Sequence, residues 1–308
     1  MGSPYPTPIT PDNTRIGWVG IGVMGGAMAA RLLSAGYSVT IYARSPSKAH
    51  PLLSQGARLA DSPASVARLC DIVFIMLGHP SDVRQIVLTR TDSILTGLKP
   101  NSVLVDHTSS HPELAKEISA SARENNCWAV DAPVSGGDVG ARTGNMAIFA
   151  GGDRAVVSWL LPLLHILGNR VTYMGGPGSG HSCKIANAIV AGGSFVGLSE
   201  GLVFARWAGL NREQWLEAVR GGPAGSRLME LFGQRIIDGD FKPGGFAEYM
   251  VKDLGMGVQT VEGAKDREVV VMPGAALSKE LFTGLVANGE GKIGGHAIIT
   301  VIERINGN

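Results

Sequence analysis

"RIGWVGIGVMGGAMAARLLSAGYSVTIYARSPSK", Arg15 to Lys48, decides the fold class of this chain. Arg15 to Ile21 is an apolar run expected to form a buried strand. Gly25 to Ala35 follows as a helix, with Gly36 as its C-terminal stop. A second strand, "SVTIYA", comes next. Gly20, Gly22 and Gly25 stand in G-x-G-x-x-G spacing where the first strand gives way to the helix. Gly20 suits a tight turn, Gly22 lets the backbone approach a pyrophosphate, and Gly25 lets the helix pack close to the strand. The phosphates of a dinucleotide then rest on the helix N-terminus, where unpaired N–H groups and the dipole favour negative charge. A glycine-rich turn in an unrelated α/β fold is the alternative. The flanking strand, helix and second strand at the right distance favour the dinucleotide unit.

The second strand of such a unit commonly ends in an acidic residue that binds a ribose hydroxyl. Here it ends in Tyr42, Ala43, Arg44 and Ser45. An acid would repel the 2′-phosphate of NADP, whereas the planar fork of Arg44 suits a phosphate. Ser45 adds a hydroxyl and Lys48 a second cation. The pattern points to NADP over NAD; the alternative is a surface arginine that merely opens a helix.

The chain has 308 residues, enough for two domains, and is 44% hydrophobic and 17% charged, as in an ordinary globular protein. With 27 basic and 26 acidic residues and no basic block, a nucleic-acid partner is not expected. Cys70, Cys127 and Cys183 are far apart and odd in number. This argues against a disulfide framework or zinc site and for a reducing compartment, cytoplasm or mitochondrial matrix. The longest uncharged run of the second half, Ile185 to Ser199, falls short of the ~20 residues of a bilayer span, so no membrane partner is expected.

Residues 1–14 hold four prolines and no apolar period, and are expected to be a disordered leader. Further strands are expected at "DIVFIML" (Asp71 to Leu77), "SVLVD" (Ser102 to Asp106) and "CWAVDAPV" (Cys127 to Val134), with helices between them, one opened by Asp61, Ser62 and Pro63. Buried strands alternating with helices imply a parallel sheet covered on both faces. Beyond Gly178, long helical patterns take over: Gly180 to Trp207, Arg212 to Val219, Met250 to Ala264 and Leu277 to Asn288. The fold expected is an α/β Rossmann-type N-terminal domain (residues 15–178) plus an all-α C-terminal domain (residues 179–308), with the boundary in "GGPGSG".

Four more stretches carry a resemblance: "DHTSSHPE" (Asp106 to Glu113), "DAPVSGGDVGARTG" (Asp131 to Gly144), "GPGSGHSCKIANA" (Gly176 to Ala188) and "VKDLG" (Val251 to Gly255). With the glycine loop, their order and spacing resemble the β-hydroxyacid dehydrogenase family over nearly the whole chain from Arg15. The family includes 3-hydroxyisobutyrate dehydrogenases, tartronate semialdehyde reductases and glyoxylate/succinic semialdehyde reductases. "GHPSDVRQIVL" and "FAGGD" look most like its plant 3-hydroxyisobutyrate dehydrogenase-like subgroup.

Lys184 and Asn187 are three apart in a helical pattern and share a face. An ammonium there can hydrogen-bond a carbonyl oxygen, stabilise the charge that develops as hydride arrives, and supply the proton. The resemblance implies that Lys184 is the catalytic acid/base and that Asn187 contacts the reacting oxygen. The alternative is a Lys reaching solvent; the apolar neighbours Ile185, Ala186, Ala188, Ile189 and Val190 suggest a buried helix instead. "PVSGG" offers Ser135 and the N–H groups of Gly136 and Gly137, a cradle that the resemblance assigns to a substrate carboxylate. Ser109 stands where the family usually has Thr, near nicotinamide and substrate. The resemblance also places cofactor contacts at Gly20, Gly22, Val23, Met24, Gly25, Leu77, Pro80 and Lys252, with Asp253 orienting Lys252 or a neighbour. A substrate held between the two domains, and association of the helical domains into a dimer or tetramer, are further implications. Gly193, Gly197 and Gly201 at four-residue steps fit close helix packing.

The chain departs from the family at Ala188, where a second Asn is common, and at Gly245, where many members have an aromatic; Phe246 is next to it. His107 and His111 lack a third ligand candidate nearby and read as polar surface or pocket-rim groups, with no metal site expected. His181 is a candidate for the mouth of the cleft. The expected activity is NADP-linked hydride transfer between nicotinamide and a small carboxylate-bearing aldehyde or 3-hydroxy acid. Alternatives are an NAD-dependent 3-hydroxyisobutyrate dehydrogenase, imine reduction on the same scaffold, and a non-catalytic dinucleotide-binding module. The last two are disfavoured because relatives of those kinds tend to lack the Lys that Lys184 matches.

Overall fold

The computed structural model describes residues 8–263 and 270–307. Residues 1–7 of the expected leader, and Ala264 at the end of an expected helix, lie outside the described residues. Residues 8–14 are folded: Thr10 starts a turn, accepting from the N–H groups of Asn13 and Thr14, and Ile9 joins the core. This corrects the disordered reading of that part. One apolar side chain and a hydrogen-bonded turn tie it down where prolines alone suggested coil.

The chain divides into two compact units between Lys184 and Ile185. The first is built on nine strands: β1 (Arg15–Val19), β2 (Ser38–Tyr42), β3 (Arg58–Leu59), β4 (Ile72–Ile75), β5 (Val103–Asp106), β6 (Trp128–Asp131), β7 (Val134–Ser135), β8 (Ala147–Gly151) and β9 (Arg170–Gly175). Their order is β3-β2-β1-β4-β5-β6-β8-β7, with β9 on β8. The pairs from β3 through β6 are parallel, and β8 runs antiparallel to β6 and β7. The order 3-2-1-4-5-6 is that of a doubly wound dinucleotide fold. Both faces of the sheet are buried, and the pleat sorts the side chains. Ile16, Trp18, Ile72, Phe74, Val103 and Val105 enter one core, and Val19, Val73, Ile75 and Leu104 the other. Burying one such side chain fully is worth ~1.5–3 kcal/mol, which makes the register of these strands hard to slip.

The helices follow local signals. Ser62 Oγ accepts from Ser65 N at 3.1 Å and starts Pro63–Leu69, with proline in the first turn. Asp153 caps Arg154–Leu167 in the same way. The second unit is helical. It comprises most of the long helix Ser179–Trp207, then Arg212–Arg220, Arg227–Ile237, Ala247–Glu262, Pro273–Ala287 and Ile298–Ile305. One core holds Phe195, Leu254, Phe282, Leu285 and Ile298, and another Leu198, Leu202, Leu216, Met229 and Ile299. The division between the units falls inside the long helix, beyond the Gly/Pro-rich stretch. By length and composition alone that helix could cross a membrane, although the uncharged run within it falls short. Of its most apolar 18-residue window, 44% is buried in the protein.

Candidate active site

Because β1, β2, β4, β5 and β6 run parallel, their carboxyl ends share one edge of the sheet. The loops leaving that edge carry, in turn, Gly20 and Gly22, then Arg44, Ser45 and Lys48, then Leu77 and Pro80, then Ser109. Ser135, Gly136 and Gly137 come just after β6. The topology therefore gathers at one edge the residues expected to bind cofactor and substrate in this unit. It is also the edge where open α/β sheets bind ligands.

The glycine loop has the geometry that its spacing implies. Gly20 has φ +96°, in the left-handed region, and a Cβ there would overlap the Met76 carbonyl. A Cβ on Gly25 would overlap the Gly20 carbonyl, so this glycine sets the helix–strand approach. At Gly22 a Cβ would meet nothing within 4 Å, which leaves the backbone open to a ligand. Helix α1 (Val23–Ser34) starts at Gly22 with no side-chain cap and no acid in its first turn, and Val23 is 66% exposed. Its first N–H groups are thus available to an anion. These residues fit the pyrophosphate of a dinucleotide. Arg44, Ser45 and Lys48 are all exposed, with Ser45 opening the short turn Pro46–Ala49.

The end of β5 is a buried polar segment. Asp106 Oδ1 accepts from Thr108 N at 2.8 Å, and Thr108 Oγ1 accepts from Leu77 N at 2.9 Å. Thr108 is fully buried and Ser109, the next residue, half-buried. His107 is not a rim group: it is buried, stacks on Phe74 at 5.5 Å and sets Nδ1 2.6 Å from the Ala132 carbonyl oxygen. The apolar run before it carries its ring into the core, and burial pushes its pKa down to about 4, so it is neutral. His111 is half-buried at the start of Pro112–Glu124. Among the described residues no group of three or more His, Cys, Asp or Glu could hold a metal ion.

Ser135 ends β7 half-buried, and Gly136 and Gly137 follow with φ +149° and +64°, conformations open to glycine. Gly136 opens the helix Gly137–Thr143 with no side-chain cap, while Asp138 in its first turn pairs with Arg142 at 2.8 Å. Lys184 and Asn187 lie on the long helix, both half-buried. The helix around them is buried on one side only, and not all round as expected: Ile185 and Ala188 are buried, but Ala186 is exposed and Val190 is 70% exposed. The apolar run had no polar residue to mark this open face. The Lys184 charge opposes the upward push of burial on the neighbouring Cys183 thiol.

His181 does not line a cleft mouth. It is 1% exposed, and Nε2 lies 2.8 Å from the Thr108 carbonyl oxygen. A carbonyl only accepts, so Nε2 carries the proton. The position three before Lys184 falls on the buried side of the helix, which sequence spacing does not reveal.

In the second unit, Lys252 and Asp253 are paired at 3.3 Å, with side chains only 13% and 9% exposed. This is unlike the usual solvated pair of a helix surface. Lys252 Nζ also lies 5.3 Å from the centre of the Tyr249 ring, and Tyr249 packs on Phe246 at 5.6 Å. Gly245 is exposed, and the aromatic surface nearby is that of Phe246 and Tyr249. Tyr249 was not among the expected residues; its signal is an aromatic one helical turn before Lys252.

A doubly wound unit with an open phosphate loop, followed by a long helix that bears a half-buried lysine, defines an NAD(P)-linked oxidoreductase. Residues 15–175 match the NAD-binding domain of 6-phosphogluconate dehydrogenase, and residues 178–302 match the NAD-binding family of NADP-dependent 3-hydroxyisobutyrate dehydrogenase. The chain is 54% identical to the probable mitochondrial 3-hydroxyisobutyrate dehydrogenase-like protein 3 of Arabidopsis thaliana, over 100% of this chain and 93% of that one. It is 34% identical to the 2-hydroxy-3-oxopropionate reductase of Escherichia coli, over 94% and 97% of the two chains. A 3-hydroxyisobutyrate dehydrogenase from Salmonella typhimurium superposes with a TM-score of 0.82 at 29% identity, covering 94% of this chain and 100% of that one. The chain belongs to the β-hydroxyacid dehydrogenase family of NAD(P)-dependent oxidoreductases.

Proposed function

We propose that this protein uses NADPH to reduce a small carboxylate-bearing aldehyde to the corresponding hydroxy acid. The observation that carries the reading is the placement of Ser135, Gly136 and Gly137 at the carboxyl edge that bears the phosphate loop, together with Lys184 half-buried early in the long helix. When bound, the nicotinamide supplies the hydride. Gly22, Val23, Met24 and Gly25 would hold the pyrophosphate, Arg44, Ser45 and Lys48 the 2′-phosphate, and Leu77, Pro80, Ser109 and Lys252 the rest of the cofactor. Ser135, Gly136 and Gly137 bind the carboxylate of the substrate. Asn187 and Ser109 orient the reacting carbonyl. Lys184 donates a hydrogen bond to its oxygen and passes its proton there as negative charge develops. The names of the plant and bacterial relatives support the substrate class. The 3-hydroxyisobutyrate dehydrogenase names also fit the reverse direction, oxidation of a 3-hydroxy acid, and NAD-linked oxidation of that kind is the alternative reading.

A panel of short semialdehydes and 3-hydroxy acids, assayed with both cofactors, tests this reading. The expected result is turnover of a carboxylate-bearing aldehyde with NADPH and little with its neutral analogue. Faster oxidation of 3-hydroxyisobutyrate with NAD than any reduction with NADPH would replace it by the alternative.

We also assign the protein to a homodimer or homotetramer in a reducing compartment, the mitochondrial matrix or the cytoplasm, with no nucleic-acid or membrane partner. The long helix exposes Ala186, Val190, Gly193, Gly197, Phe204 and Trp207 at alternating helical steps, and Trp207 is 81% exposed. Gly193 and Gly197 have open space where a Cβ would stand, which suits close approach of another helix. Light scattering at micromolar concentration should give two or four times the 32.2 kDa chain mass; a monomer alone would contradict the assignment. All three cysteines are free thiols, as a reducing compartment requires, and the plant relative is named a mitochondrial protein.

A further inference from the structure

Asp106 and Asp131 are register partners at the ends of neighbouring parallel strands, and both are buried. Two adjacent buried carboxyl groups need hydrogen-bond donors. The start of the long helix supplies them to Asp131, whereas Asp106 accepts from Thr108 N on Oδ1 and its Oδ2 has no hydrogen-bond partner among the described residues. Asp131 Oδ1 accepts from Gly178 N at 2.8 Å, and Oδ2 from His181 N at 2.9 Å. The His181 ring lies between the two acids, with Nε2 at 3.8 Å from Asp106 Oδ2 and Nδ1 at 3.8 Å from Asp131 Oδ2. Close approach here depends on glycine. A Cβ on Gly180 would stand 2.5 Å from the Asp131 carbonyl oxygen, and one on Gly151 would stand 2.6 Å from Gly180 N.

Followed outward, the bonds form a chain. Leu77 N–H donates to the Thr108 hydroxyl; His181 Nε2–H donates to the Thr108 carbonyl; the His181 main chain is tied to Asp131. The ends of β4, β5 and β6 are thereby joined to the first turn of the helix, one turn before Lys184 and beside Ser109. An apolar residue would fill the space occupied by His181 at less electrostatic cost. A buried polar network earns its place where one arrangement has to be specified over others.

We propose that His181, with Thr108 and Asp131, forms a buried brace that fixes the Lys184-bearing turn relative to the loops carrying Leu77 and Ser109, making His181 a positioning residue for the proton transfer. The inference rests on the reading of Lys184 given above. The ring itself touches no substrate: its protonated nitrogen is committed to a main-chain carbonyl, and its side chain is inaccessible.

The test compares His181→Leu, which removes the donor, with His181→Gln, whose amide can place an N–H near the position of Nε2. Two readouts are taken on the full-length protein: amide hydrogen exchange at Ser182 to Ala186, and the single-turnover rate of NADPH oxidation at saturating semialdehyde. In His181→Leu the exchange should quicken and the transfer rate fall ~10²-fold, the effect of a misplacement of about 1 Å. His181→Gln should recover most of both. Wild-type transfer in His181→Leu, or equal losses in Leu and Gln with unchanged exchange, would overturn the brace. Should His181→Leu not fold, Asp131→Asn takes its place, with faster exchange and slower transfer expected and wild-type values of both overturning it. If the wild-type protein reduces no semialdehyde, the reading of Lys184 falls. The exchange arm then decides the brace alone: it stands if Leu exchanges faster than Gln and is overturned if they are equal.

Discussion

Lys184→Ala should lower turnover by at least ~10²-fold while leaving NADPH affinity nearly unchanged. General acid catalysis by a positioned group is worth ~10²–10⁴-fold, and the loss falls on the step that the group serves. The residues assigned to the phosphates and ribose, Gly20 to Gly25 and Arg44 to Lys48, follow β1 and β2, far from Lys184 in the chain. Cofactor titration by fluorescence should therefore report wild-type binding in the inactive variant. Lys184→Arg should not rescue turnover, because a guanidinium keeps its proton at all working pH values and is planar where an ammonium is compact. Restoration of more than a tenth of the rate by Arg would mean that charge alone, and not proton transfer, is what Lys184 contributes. His181 is not a replacement acid, since it is buried with Nε2 on the Thr108 carbonyl.

Arg44→Ala should weaken NADPH binding by ~1.5–3 kcal/mol, the range for hydrogen bonds to charged groups. That is a loss of roughly ten- to hundredfold in affinity. NADH lacks the 2′-phosphate, so its binding should hardly change. The loss should shrink as salt is raised, because Arg44 is exposed and its attraction is screened. Isothermal titration of both cofactors against both proteins reads the effect. Equal wild-type affinity for NADPH and NADH would remove Arg44, Ser45 and Lys48 from the selection of cofactor.

β4 and β5 were legible in the sequence because each is buried throughout and reads as an apolar run. "CWAVDAPV" also reads as one run, but Pro133 has no N–H to give the ladder, and the segment splits into β6 and β7. β3, β8 and β9 escaped notice; β3 is two exposed residues. β9 alternates exposed and half-buried residues, which gives no apolar run to count. The glycine loop could be read at the level of single atoms, since its requirements are local. The surroundings of His181 could not: Asp131 lies 50 residues before it and Thr108 73 residues before it, and only the sheet brings them together. In the same way "KDL" gives no sign that Lys252 is half-buried and Asp253 buried, because that depends on how the helices of the second unit pack.

Single-turnover hydride transfer, followed by stopped-flow loss of NADPH absorbance with saturating NADPH and a carboxylate-bearing semialdehyde, addresses the central assignment directly. The wild-type enzyme should oxidise its bound NADPH in one exponential, and Lys184→Ala should do so at least ~10²-fold more slowly, with the same cofactor occupancy before mixing. A Lys184→Ala rate above a tenth of the wild-type rate would contradict the account and place the proton donor on another residue.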